Sequence, residues 1–164
     1  MRKKIEMKIK TIIFNFVIIG LIGIGETASA VTFSCPTLDA SKFQRAADNQ
    51  QQSSYNYVPS LHELTLNTIY SQPVAPSLTL NWSGYQTAIG VTSDNPDDPK
   101  SKNYRLISVT LKNATLKRGN YPLCNYTWNF SGLIFLGDKS YFESSITTTD
   151  VHNCTLSGTT FTCS

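Results

Sequence analysis

Between Cys124 and Phe130 the side chains alternate strictly: Cys124, Tyr126, Trp128 and Phe130 fall on one side, Asn125, Thr127 and Asn129 on the other. A period of two belongs to an extended strand with one face packed and one wet, because successive Cβ atoms of a strand point to opposite sides. A chain with such a segment has to supply a layer that covers the apolar face. Leu64, Leu66, Thr68 and Tyr70 alternate in the same way, as do Leu78, Leu80 and Trp82 beyond a break at Pro73 to Pro76. The stretch from Tyr104 to Leu116 sets Ile107, Val109 and Leu111 on one face.

Turn formers separate these runs. Gly84 is expected to end or bend its strand, Gln86 to Thr92 to form a further strand, and Ser93-Asp94-Asn95-Pro96-Asp97-Asp98-Pro99 to be a surface loop. Gly119-Asn120 reads as a two-residue hairpin turn. Gly137-Asp138 reads as the turn of a second hairpin, joining Gly132–Leu136 to Tyr141–Thr149. Ahead of these lie a short first strand, Val31 to Cys35, a stretch from Asp39 to Asn49 compatible with one short helix, and an exposed loop from Gln50 to Ser54. The expected fold class is mostly β, an antiparallel sandwich or a partly open barrel, with room for one short N-terminal helix and with two disulfides.

The first 30 residues have another character. Arg2, Lys3, Lys4, Lys8 and Lys10 precede an uncharged apolar run from Thr11 to Ile24, and Ala28-Ser29-Ala30 places small residues where a signal peptidase reads them. The run is about 14 residues long, short of the roughly 20 that span a bilayer as a helix. Residues 1–30 are therefore expected to be a cleaved secretory signal peptide of bacterial type, with Met7 as an alternative start, and 31–164 a single exported domain, secreted or periplasmic. Cys35 lies five residues beyond that cleavage site, which argues against a lipid anchor.

Of the 14 Lys plus Arg and 11 Asp plus Glu of the chain, five and two belong to the leader, which leaves nine of each in the mature part. A neutral domain with no basic cluster beyond Lys117-Arg118 points away from nucleic acid as a partner, and after cleavage nothing calls for a membrane. All four cysteines, Cys35, Cys124, Cys154 and Cys163, fall in the mature part, and an even count in an exported chain points to disulfides. No two are spaced as zinc ligands. Of the three pairings, Cys154 with Cys163 across Ser157-Gly158, and Cys35 with Cys124, is favoured.

Asn81, Asn113, Asn125, Asn129 and Asn153 each head an N-x-S/T triplet, where composition alone gives about three such matches. Asp94, Asp97 and Asp98 read as a solvated turn, because two prolines and the lack of a downstream bidentate Glu depart from a calcium loop. No metal and no cofactor are called for. Catalytic residues are not identifiable: there is no Gly-x-Ser-x-Gly, His62-Glu63 lacks the second histidine of a metalloprotease helix, His152 has no local signature, and Glu63 and Glu143 are an unremarkable pair of acids. Trp82 and Trp128 sit on faces that read as core. Tyr55 and Tyr57, in the expected loop, and Tyr85 are the candidate ligand-binding aromatics, since rings give large contact area at small entropic cost.

In order, Cys35-Pro36, Trp82-Ser83-Gly84 after a strand, the strand ending at Ala114, Cys124-Asn125-Tyr126 and the closing Cys154 to Cys163 resemble a group of short exported proteins of Legionella and other Gammaproteobacteria, known as a domain of unknown function. The resemblance implies export and a compact domain, and carries over no catalytic or binding residue. The function expected is that of an exported, disulfide-stabilised binding or interaction domain for a glycan, a peptide or a protein. A small secreted hydrolase, or an inhibitor of one, is the alternative.

Overall fold

The computed structural model describes residues 30–46, 51–95 and 103–164. The expected leader, the end of the Asp39 to Asn49 stretch, and the acidic turn residues Asp97 and Asp98 lie outside them. The described chain is mostly β, with 12 strands in sheets that do not close into a barrel.

In chain order the strands are β1 (Val31–Ser34), β2 (Gln44–Arg45), β3 (Ser54–Val58), β4 (Glu63–Ala75), β5 (Leu78–Ile89), β6 (Thr92–Ser93), β7 (Arg105–Lys117), β8 (Tyr121–Ser131), β9 (Leu133–Ile134), β10 (Tyr141–Thr147), β11 (Thr155–Ser157) and β12 (Thr160–Cys163). Seven form one sheet in the order β2-β3-β4-β5-β10-β8-β7, β1-β12-β11 form a small three-stranded sheet, and β6 pairs with β9. The large sheet curls over its own core. Tyr55 on β3 packs edge-on against Phe130 on β8 at 5.5 Å between ring centroids, and Tyr57 against Tyr104 at 5.5 Å. The small sheet closes one end by setting Phe33 and Phe161 against each other, with Phe33 also against Trp82.

Strand β8 has the alternation read from its sequence, with Pro122, Cys124, Tyr126, Trp128 and Phe130 buried. Both favoured disulfides are present. Cys35–Cys124 ties the segment after β1 to β8, and Cys154–Cys163 staples the β11–β12 hairpin. The Tyr126 hydroxyl donates to the Pro36 carbonyl at 2.6 Å, which locks the same crossing. Burial, and secondarily the neighbouring Tyr70, push the Tyr126 phenol far above its ordinary pKa.

The N-x-S/T triplets follow from this architecture. In all five the middle residue, Trp82, Ala114, Tyr126, Phe130 or Cys154, is buried. In the four that lie on strands, polar–apolar–polar alternation in an Asn- and Ser/Thr-rich segment writes that pattern, while Asn153-Cys154 precedes β11.

Several local expectations are corrected. Asp39 to Asn49 begins not with a helix but with a single 3₁₀ turn, Ala40–Lys42, capped by the Asp39 carboxylate, which accepts from Ser41 N at 2.9 Å and Ser41 Oγ at 2.7 Å; β2 follows at once. The same hydrogen bonds hold the Asp39 pKa below its usual value. Pro73 does not break its strand: β4 runs on to Ala75 through an irregularity between Pro73 and Ala75. A proline is tolerated there because the ladder to β3 ends at Asn67 and β4 has β5 alone to satisfy.

Gly84 neither ends nor interrupts β5, which runs from Leu78 through to Ile89 and takes in most of the expected further strand. A Cβ at Gly84 would stand 2.5 Å from the Ser145 carbonyl oxygen, so the glycine serves the approach of β10. The β7–β8 loop has three residues, Arg118 to Asn120, with Gly119 and Asn120 both at positive φ. The turn at Gly137-Asp138 is present, with Phe135 bridged to Lys139, but the expected hairpin does not extend beyond it: β9 pairs with β6 and β10 pairs with β8.

Candidate binding cleft

Strand β7 carries two bulges, and they decide which side chains reach the outer face. Leu106 and Ser108 oppose Phe130 and Asn129, leaving Ile107 without a partner, and Leu111 and Asn113 oppose Tyr126 and Asn125, leaving Lys112 without one. An inserted residue reverses the inside–outside parity. Leu106 is therefore buried while Ile107, expected on the inner face beside Val109 and Leu111, stands 48% exposed. At the second bulge, Lys112 and Asn113 both project outward in succession.

The outer face next to them is built from in-register rungs. Ser145 on β10, Asn125 on β8 and Asn113 on β7 lie across one another. The Asn125 amide donates to Asn113 Oδ1 at 2.6 Å and to Thr115 Oγ1 at 3.4 Å, while its own oxygen accepts from the Ser145 hydroxyl. Along the face, Lys112 reaches over β8 to Glu143 on β10, Nζ to Oε2 2.7 Å, with both side chains about half exposed. Asn129 donates to Ser108 Oγ at 3.0 Å.

The large sheet has a seam. β5 and β10 share one paired position, Ser83 with Thr147, beside the close approach at Gly84, whereas β10 pairs with β8 over its full length. Continued register would set Tyr85 beside Ser145 and Thr87 beside Glu143, but the strands part. The gap is a cleft of about 380 Å³ lined by Gln86 from one side and by Lys112, Asn113, Asn125, Glu143 and Ser145 from the other. Tyr85 stands 61% exposed on β5 one residue from Gln86, over a shallower depression shared with Asn67, Ile69 and Ser83. Beyond Glu143 lies a more apolar depression bounded by Ile89, Leu136 and Tyr141, where Lys139 Nζ sits 5.2 Å from the Tyr141 ring centroid.

The three candidate aromatics are thus separated. Tyr85 is at the surface, over the depression that neighbours this cleft, one residue from Gln86. Tyr55 and Tyr57 are not loop residues: they lie on β3, each 7% exposed, and the Tyr57 backbone N–H donates to the Tyr104 hydroxyl at 3.0 Å. The alternation Ser54-Tyr55-Asn56-Tyr57-Val58 was the available signal of a strand, masked by the Gln- and Ser-rich run before it. Sequence reading also missed Gln86, Lys112, Asn113, Asn125 and Ser145 as a group, since only the seam and the second bulge gather them.

His62 caps the 3₁₀ turn Pro59–Leu61 in the left-handed region and His152 lies against Tyr121 at 6.5 Å. Glu63 is paired in the β4 ladder with Ile89 and Val58, and Glu143 with Lys112. Among the described residues no group of three His, Cys, Asp or Glu is placed to hold a metal ion, and no helix is long and apolar enough to cross a membrane. Compared with protein-family models, curated proteins and solved structures, the chain matches none.

Proposed function

We propose that the chain is an exported binding domain, akin to the short exported proteins it resembles, that takes a polar ligand in the cleft where β5 and β10 separate. The observation that supports this reading is the gathering of amides, hydroxyls and one ion pair around an open gap in an otherwise hydrogen-bonded sheet. Asn125 has its amide and carbonyl fixed by neighbours on both sides, so the groups around it are ordered before a ligand arrives. Two disulfides suit a life outside the reducing cytoplasm.

The test is a thermal-unfolding panel on the oxidised protein purified after export of the full chain, with oligosaccharides, short peptides and Ca²⁺ as separate additions. A ligand at 100 times its Kd adds about 2.7 kcal/mol. A rise in Tm with one polar ligand class, abolished in Asn125→Ala and in Tyr85→Ala, supports the reading. A rise that both variants retain places the ligand elsewhere and overturns it.

A further inference from the structure

We infer that the ligand class of the seam cleft is an uncharged oligosaccharide; the inference rests on the cleft being the binding site. Charge decides first. Lys112 and Glu143 are the charged residues of the lining, and at 2.7 Å each neutralises the other. An anionic ligand is recognised by cations that have no carboxylate of their own, and a cationic ligand by unpaired acids. The cleft lining offers neither, and in the depression beyond it the Lys139 ammonium lies over the Tyr141 ring.

The remaining groups are bifunctional. The Gln86 and Asn113 amides each carry donors and an acceptor, the Ser145 and Thr115 hydroxyls do both, and Asn125, bonded on both sides, holds Asn113 and Ser145 in place. A sugar hydroxyl also donates and accepts, so a row of them can satisfy this lining without an ion.

Shape supplies the second argument. Tyr85 stands exposed over the depression on one side of the cleft, and Tyr141 with Ile89 bounds the depression on the other. Along β5 the step from Tyr85 to Ile89 spans about 13 Å at the rise of a strand. A polar trough between two apolar ends over that length suits a ligand of more than one ring, with its C–H faces on the tyrosines and its hydroxyl edges on the amides.

The experiment is isothermal titration of the exported protein with cellohexaose, chitohexaose and maltohexaose against hexagalacturonate and a heparin hexasaccharide. At least one neutral hexasaccharide should bind with submillimolar Kd, and both acidic ones at least tenfold more weakly. Tyr85→Ala, whose side chain is mostly solvated and whose circular dichroism should be unchanged, should weaken the neutral ligand about tenfold. Glu143→Gln, which leaves Lys112 unpaired, should raise affinity for hexagalacturonate several-fold. Tighter binding of an acidic ligand, lost in Tyr85→Ala, would overturn the uncharged class while leaving the cleft as the site. Neutral binding indifferent to Tyr85→Ala would overturn the cleft itself, and no binding of any neutral hexasaccharide would overturn the oligosaccharide assignment.

Discussion

The two disulfides close loops of very different length, and their contributions to stability should differ accordingly. Cys35 and Cys124 are separated by 89 positions in sequence, Cys154 and Cys163 by 9. In the chain-entropy treatment the longer loop restricts the unfolded ensemble by about 4.6 kcal/mol and the shorter by about 2.6 kcal/mol. All four cysteines are buried, none more than 9% exposed, so replacing each pair by alanine leaves similar cavities and their difference isolates the loop term. Equilibrium guanidinium unfolding followed by tryptophan fluorescence should place Cys35→Ala/Cys124→Ala about 2 kcal/mol below Cys154→Ala/Cys163→Ala. With total stability of about 5–15 kcal/mol for a domain, the first variant should be close to the edge of folding. Equal losses, or a larger loss for the hairpin pair, would refute the idea that Cys35–Cys124 acts chiefly on the unfolded chain.

Gly84→Ala should cost at least about 2 kcal/mol and loosen the seam, because its Cβ meets the Ser145 carbonyl backbone and no side chain can yield; amide exchange at Ser83 and Thr147 reads the second effect. Trp82→Phe should cost about 1 kcal/mol more than Trp128→Phe, since the Trp82 indole donates to Gln72 Oε1 at 2.9 Å while the buried Trp128 N–H has no hydrogen-bond partner among the described residues; paired denaturation curves decide it. The raised Tyr126 pKa sets an alkaline limit. Its contribution is complete below the ordinary tyrosine value of about 10 and is lost above it, where the unfolded phenol ionises and the folded one does not, so Tyr126→Phe should flatten the fall in stability on the alkaline side. Lys112→Ala should change stability by less than about 1 kcal/mol, because the pair with Glu143 is half exposed.

The β8 strand, the core tryptophans and the Cys154–Cys163 pair were legible because each is carried by local information, a strict period of two or cysteines flanking a turn, and Cys35 with Cys124 is the pair that then remains. What escaped was set by tertiary contact. Ile107 keeps the alternation of a regular strand in sequence and loses it to a bulge. Gly84 looks like a strand terminator until β10 lies against it. Leu133–Ile134 has the turn signals of a hairpin, but β6 provides its partner and β8 takes β10. Tyr55 and Tyr57 are hidden because the curl of the sheet lays β3 over Phe130 and Tyr104, a closure no neighbour in sequence announces. The cleft shares this origin. Gln86, Asn125 and Ser145 come from three strands that are not consecutive, so only the separation of β5 from β10 makes them one site.

The side-chain amide resonances of Gln86, Asn113 and Asn125 test the site most directly. Two-dimensional nitrogen–proton spectra, recorded while the tightest-binding neutral hexasaccharide is added to the exported protein, should show these three amides and the Ser145 backbone amide among the largest shifts, saturating with the calorimetric Kd. Shifts concentrated on the β1-β12-β11 sheet or around Leu61, with the three amides unmoved, would contradict the account.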